Sequence, residues 1–143
     1  MSEQNNLEAN KALARRWFEE VWNKGRAEAI AEMLAPDAVV HGLSDDAANP
    51  LRGPEEFLPF HAKFREAFPG INVIVEDAIA EGDKVAIRAS VRGKHEGHSL
   101  GFEATGTTAE FDGIAIVRIK DGKFVEAWNN FDFMKMYRQL GAI

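Results

Sequence analysis

Two strand-like runs, AEFDGIAIVRIK (109–120) and KFVEAWNNF (123–131), meet at Asp121-Gly122. Asp-Gly between alternating hydrophobic runs is the strongest short-range hairpin signal, because a tight turn that matches strand twist needs positive φ at its centre. Upstream, INVIVEDAIAEGDKVAIRASVRGKHEG (71–97) holds two more strands joined near Glu81-Gly82-Asp83. In the second of these, Val85, Ile87, Ala89 and Val91 alternate with Ala86, Arg88, Ser90 and Arg92. That period of two marks a half-buried strand. A chain committed to so much antiparallel strand must cover one face of the sheet.

The first half supplies the cover. In NNLEANKALARRWFEEVWNKG (5–25), Leu13, Trp17 and Val21 fall at i, i+4 and i+8, with Phe18 and Trp22 beside them. This is one face of a helix, and Gly25 stands as its stop. A short second helix, AEAIAEML (27–34), ends before Pro36, and DAVVHG (37–42) reads as a brief strand. SDDAANPLRGP (44–54) is the longest polar, turn-rich stretch and reads as a mobile loop. Pro54 suits the first turn of a third helix, PEEFLPFHAKFREAF (54–68), whose Phe57, His61, Phe64 and Phe68 share a face. Pro59 is an awkward interior residue there. A terminal helix, FMKMYRQL, closes the chain. The expected class is α+β, one domain over 1–143, with a curved antiparallel sheet covered by the helices.

Composition narrows the function. A net charge of −6 with scattered basic residues argues against a nucleic-acid partner, which needs clustered positive charge. No apolar run approaches the ~20 residues of a membrane span, and MSEQNNLEANKALARRW lacks the layout of a signal peptide. With no cysteine there is no disulfide or thiolate chemistry. The simplest placement is cytoplasmic. No glycine-rich phosphate loop, zinc-protease motif or nucleophile elbow occurs, so no cofactor or metal is expected. His95 and His98 lack the spacing and third ligand of a metal site.

Among the histidines, His95 shares the parity of Val85, Ile87, Ala89 and Val91 and so leans toward the apolar face, unless a bulge at Gly93 flips it. His61 lies on the phenylalanine stripe of the third helix, beside Phe64, as a core residue or a pocket residue. His41 ends the short strand, where both readings also stand. In EAWNNFD (126–132), Glu126, Trp128, Asn130 and Asp132 share one parity and Val125, Ala127, Asn129 and Phe131 the other. Turn length alone leaves open which side faces inward. If the even side does, Trp128 and Asn130 line a cavity and Asp132 ends it, with a carboxyl that desolvation tunes for proton transfer. The alternative is that Asp132 is the N-cap of the terminal helix.

FEEVWNKG, DAVVH, LRGPEEF, the run 69–97, GFEATGTTAEFDGIAIVRIKDGKFVEAWNNFD and the closing QLGAI together resemble the SnoaL-like polyketide cyclases, also called ester cyclases. The most specific pieces are Gly93-Lys94-His95-Glu96-Gly97, Thr105-Gly106 and Glu126-x-Trp128-x-x-x-Asp132. Ala104 stands where many relatives carry proline. The resemblance implies the fold group of nuclear transport factor 2 and ketosteroid isomerase, a cystatin-like α+β barrel with a cone-shaped apolar pocket. It implies a small apolar carbonyl compound as substrate, closed into a ring by an intramolecular aldol step without cofactor. Asp132 matches the acid-base aspartate, and His95, His41, Trp17 and Trp128 would face the pocket; in such an enzyme His95 would be the catalytic donor that stabilises the enolate oxygen. A homodimer through the outer sheet face is implied as well. A binding protein without turnover, an isomerase and an epoxide hydrolase are the competing readings, although the only tyrosine, Tyr137, lies in the terminal helix.

Overall fold

The computed structural model describes residues 3–44 and 48–143, with side chains from residue 6 onward. Residues 45–47 of the polar loop lie outside the described residues, so the reading of that loop as mobile is not addressed. Helix α1 (Glu3–Trp17) runs into a π-helical turn (Phe18–Asn23), followed by α2 (Glu28–Met33), β1 (Leu34–His41), β2 (Leu51–Arg52) and α3 (Gly53–Ala67). Then come β3 (Asn72–Glu81), β4 (Lys84–Lys94), β5 (Thr108–Lys120), β6 (Lys123–Phe131) and α4 (Phe133–Gln139).

The strands form one six-stranded sheet in the order β2-β1-β6-β5-β4-β3. The α+β class with a curved, helix-covered sheet is as expected. Two details differ from the sequence reading. The sheet is open, with β2 and β3 as edges, so no barrel closes. It is also mixed, because β1 pairs with β6 in parallel. That pairing joins segments more than eighty residues apart, and no local pattern encodes it.

The β5–β6 hairpin turns as its sequence dictates. Asp121 and Gly122 both take positive φ, +52° and +76°, and Lys120 pairs with Lys123 across a two-residue turn. From there Ile119 pairs with Phe124, but Arg118 pairs with Glu126. Val125 is therefore an extra residue, a β-bulge. A second bulge at Glu76 interrupts the β3–β4 ladder between Val75 and Asp77.

The π-helical turn leaves carbonyls near its end without helical donors, and neighbouring side chains supply them. His61 Nε2 donates to Val21 O at 2.7 Å, and Arg65 donates to Trp22 O at 3.1 Å. Asn23 exchanges two hydrogen bonds with the Val73 backbone on β3, at 2.9 and 2.6 Å. These bonds hold the helical layer to α3 and to the sheet edge, and so set the depth of the space between them.

Candidate active site

Between the helices and the concave side of the sheet lies a cavity of about 90 Å³. The i, i+4 stripe of the first helix contributes Trp17 and, with the π-helical turn, Phe18 and Trp22. Spacing of three and four residues on α3 puts Phe57, Phe60 and Phe64 on the opposite wall. The sheet contributes Val40, Ile87, Val91, Phe111, Ala115 and Val117, and β6 adds Phe124, Ala127, Asn129 and Phe131. Edge-on ring contacts lock the aromatic wall: Trp17 stands 5.2 Å from Phe57 and 5.5 Å from Phe124. Trp17 and Phe64 are thus cavity residues.

The bulge at Val125 decides which half of EAWNNFD faces this space. Before it Phe124 points inward, and after it Ala127, Asn129 and Phe131 do. Glu126, Trp128 and Asn130 consequently occupy the outer face. The placement of Trp128 and Asn130 in the pocket is corrected on this ground. His41 is corrected with them: it pairs in parallel with Trp128 and projects to the same outer side, while its neighbour Val40 lines the cavity. Outside, His41 Nε2 meets Glu126 Oε2 at 2.8 Å and its ring stacks on Trp128, centroids 5.8 Å apart and planes 17° apart. Arg118 reaches Glu126 Oε1 at 3.4 Å and Asp83 at 3.5 Å, with its guanidinium 5.6 Å from the Trp128 ring.

Asp132 is exposed and caps α4, its Oδ1 accepting from the Lys135 amide at 3.0 Å. It does not line the cavity in this conformation, although its neighbours Phe131 and Phe133 do. The cause is the same parity: an outward residue at a strand end becomes the helix cap.

His95 keeps the inward parity expected of it, with no bulge at Gly93, and is 0% exposed. Its Nδ1 accepts from the Thr105 amide at 3.1 Å, with the Thr105 hydroxyl 3.0 Å away. The proton therefore sits on Nε2, which is buried and has no hydrogen-bond partner. The ring lies between Phe68 and Phe102, centroids 5.6 and 5.2 Å away, outside the cavity lining. Burial, and then neighbouring His98, hold its pKa below the ordinary histidine value. His98 engages the same loop, its Nδ1 accepting from the Ala104 amide at 2.9 Å.

His61 is likewise removed from the cavity wall. It is 4% exposed, bonded to Val21 O and packed 5.0 Å from the Trp22 ring. Burial lowers its pKa, the Val21 carbonyl opposes this, and Arg65 lowers it further. It is a satisfied core histidine.

Asn129 is the residue that sequence reasoning passed over, and among the described lining residues it is the one carboxamide or other non-aromatic polar side chain. Its Nδ2 donates to the His41 carbonyl at 3.0 Å. Because a carbonyl only accepts, this bond fixes the amide's orientation and leaves Oδ1 as an acceptor beside the cavity. Gly42, at φ +88°, permits the close approach of chains here, since a Cβ would collide with the Asn129 carbonyl. A lone amide within an apolar run was the available signal, usable only once the bulge is known. Among the described residues no cluster of three or more potential metal ligands stands together. Among those residues no helix is long and apolar enough to cross a membrane.

The architecture is thus an open, helix-covered sheet around an apolar cavity. Residues 12–140 match the SnoaL-like polyketide cyclase family, and the chain belongs to that family. It is 33% identical over 131 residues to aklanonic acid methyl ester cyclase DnrD of Streptomyces peucetius, covering 90% of this chain and 88% of that protein. It is 32% identical to the cyclase DauD of Streptomyces sp. (strain C5), covering 90% of this chain and 80% of that one. Among solved structures, IdmH of Streptomyces antibioticus superposes with TM-score 0.79 at 31% identity, over 92% of this chain and 98% of that one. A SnoaL-like protein from Jannaschia sp. CCS1 reaches TM-score 0.87 at 23% identity, over 100% and 99% of the two chains, which is a likeness of fold.

Proposed function

We propose that the chain binds a small, apolar, carbonyl-bearing compound of polyketide type in the cavity and closes a ring in it by an intramolecular aldol step. The observation that carries this reading is the cavity wall itself, apolar and aromatic among the described residues, with the Asn129 carboxamide set into it. Such a wall favours a hydrophobic body and orients it through the Asn129 amide. Relatives named as ester cyclases support the reaction class.

The chemistry balances without a cofactor. A proton leaves the carbon α to one carbonyl, the enolate carbon bonds to a second carbonyl carbon, and the new alkoxide takes a proton. Asn129 Oδ1 would hold a substrate hydroxyl or enol, and the second Nδ2 hydrogen would support the enolate oxygen. Asp132 remains the candidate base. That role requires its carboxylate to turn inward at the rim between Phe131 and Phe133, giving up the α4 cap at a cost of about 1 kcal/mol. Binding without turnover is the second reading, favoured by a cavity wall with no ionisable side chain among the described residues.

Incubation with aklanonic acid methyl ester, followed by chromatography for an isomer of unchanged mass, separates the two. Ring closure predicts turnover by the wild type and at least a tenfold lower kcat in Asp132→Asn, with KM little changed. Wild-type rates in that variant overturn Asp132 as the base. Binding with no turnover by the wild type removes the ring-closing reading and leaves the second.

A further inference from the structure

Between β4 and β5 the chain makes a closed loop, and titratable side chains hold it. Its base is shut by two backbone bonds, from His95 N to Thr107 O and from Gly106 N to His95 O, both 2.9 Å. One end is fixed to the last turn of α3. There the Glu96 and Gly97 amides donate to the Ala67 carbonyl at 2.9 and 3.2 Å, and the Ser99 hydroxyl donates to the Lys63 carbonyl at 2.6 Å. The Glu66 carboxylate also accepts from the Ser99 amide at 2.9 Å. The other end hangs on imidazoles: the Thr105 amide on His95 Nδ1 and the Ala104 amide on His98 Nδ1. Between the two ends Gly101 and Gly106 take positive φ, +96° and +71°, and bracket a segment that lays Phe102 on the His95 ring.

A neutral imidazole nitrogen accepts a hydrogen bond, and a protonated one cannot. Protonation turns His95 Nδ1 into a donor that faces the Thr105 amide. The Thr105 hydroxyl, 3.0 Å away, can take the new proton, but the amide loses its acceptor. The cation would lie fully buried with Nε2 still unbonded, which is costly. Of the groups around it, Glu66 on α3 favours the charge and His98 in the loop opposes it, while Phe68 and Phe102 flank the ring, with Tyr137 of α4 beyond Phe102. Glu66 keeps its own hold further into acid, because its hydrogen bond to Ser99 keeps its pKa below the ordinary carboxylate value. We propose that residues 101–106 are an acid-released strap over His95: protonation of the imidazole frees the Thr105 amide, and the segment swings out with Phe102 while residues 96–99 stay on α3. The strap seals the Nε2–H at neutral pH and bares it in acid, whether or not the cavity binds a polyketide.

Once released, the His95 ring regains the ordinary value of about 6.5, so each pH unit below it multiplies the open population by up to about ten. Amide exchange followed by NMR and corrected for the intrinsic effect of pH measures this. Protection at Thr105 should be at least about tenfold lower at pH 5 than at pH 7.5, with that of the β4 amides retained. In His95→Gln, whose side-chain oxygen accepts without titrating, Thr105 protection should no longer depend on pH. His98→Asn, at the exposed bond, should leave the wild-type dependence in place. Proton–nitrogen correlation spectra of the wild-type histidines at pH 7.5 should show the His95 proton on Nε2, a readout that needs no variant. A proton on Nδ1, a Thr105 protection indifferent to pH, a loss in step with β4, or a wild-type pH response in His95→Gln each overturns the strap.

Discussion

Strand β6 carries two chemistries on its two sides, and the contrast is sharper than its sequence suggests. Inward, Ala127, Asn129 and Phe131 present an apolar surface with one amide held in place by a backbone carbonyl. Outward, Glu126 and Trp128 join His41 and Arg118 in a partly solvated array of stacked rings and ion pairs, with Asn130 on the same face. Residues rich in functional groups thus face away from the cavity, and the nearly featureless side forms it. Polar richness in a short motif is therefore a poor guide to the face that lines the cavity.

The largest effect expected to test this contrast is on stability. Ile87, on the inner face and 1% exposed, should cost about 2–4 kcal/mol when replaced by alanine. Ile79, on the outer face and 69% exposed, should cost within about 0.5 kcal/mol under the same urea titration. Similar losses at both would mean the outer face is covered, as by the second copy that the family resemblance leads one to expect. Sedimentation of the wild type and Ile116→Lys decides that point. Ile116 is partly exposed beside Trp128, and a dimer across this face should weaken at least tenfold, about 1.4 kcal/mol.

Acid should act next, through the buried histidines. His61 and His95 both have folded-state pKa values below the ordinary one, so the unfolded chain binds protons more readily. Their contribution is complete above about pH 6.5 and is lost as pH falls through the folded values. Urea midpoints at pH 7.5, 6 and 5 should decline in that order, and His61→Asn should flatten the decline. An unchanged slope in that variant would remove His61 from the account. The smallest effect belongs to the outer array: Glu126→Gln should change stability by less than about 1 kcal/mol, as partly exposed ion pairs do. A larger loss would show the array to be structural.

Much of the fold was legible because it is local. The Asp121-Gly122 turn, the alternation through β4 as far as His95, and the aromatic stripes of α1 and α3 all follow from neighbouring residues. What was not legible depends on partners far along the chain. Nothing in KFVEAWNNF marks Val125 as the residue that slips, and the parallel mating of β1 with β6 decides where His41 points. Trp17 and Phe64 lie on the helical faces that their spacing predicts, because helical spacing survives such shifts. Trp128, Asn130 and His41 were misplaced because strand parity does not.

The bulge at Val125 has a consequence for how such a wall can change over generations. Residues 126–131 take their side from the ladders to β5 and β1 and not from counting back to the turn, so they behave as a cassette whose orientation is independent of hairpin length. Loss of the codon for Val125 would straighten the ladder yet leave Phe124 and Ala127 on the same side. The lineage can therefore absorb insertions and deletions near the turn without exchanging the contents of its pocket.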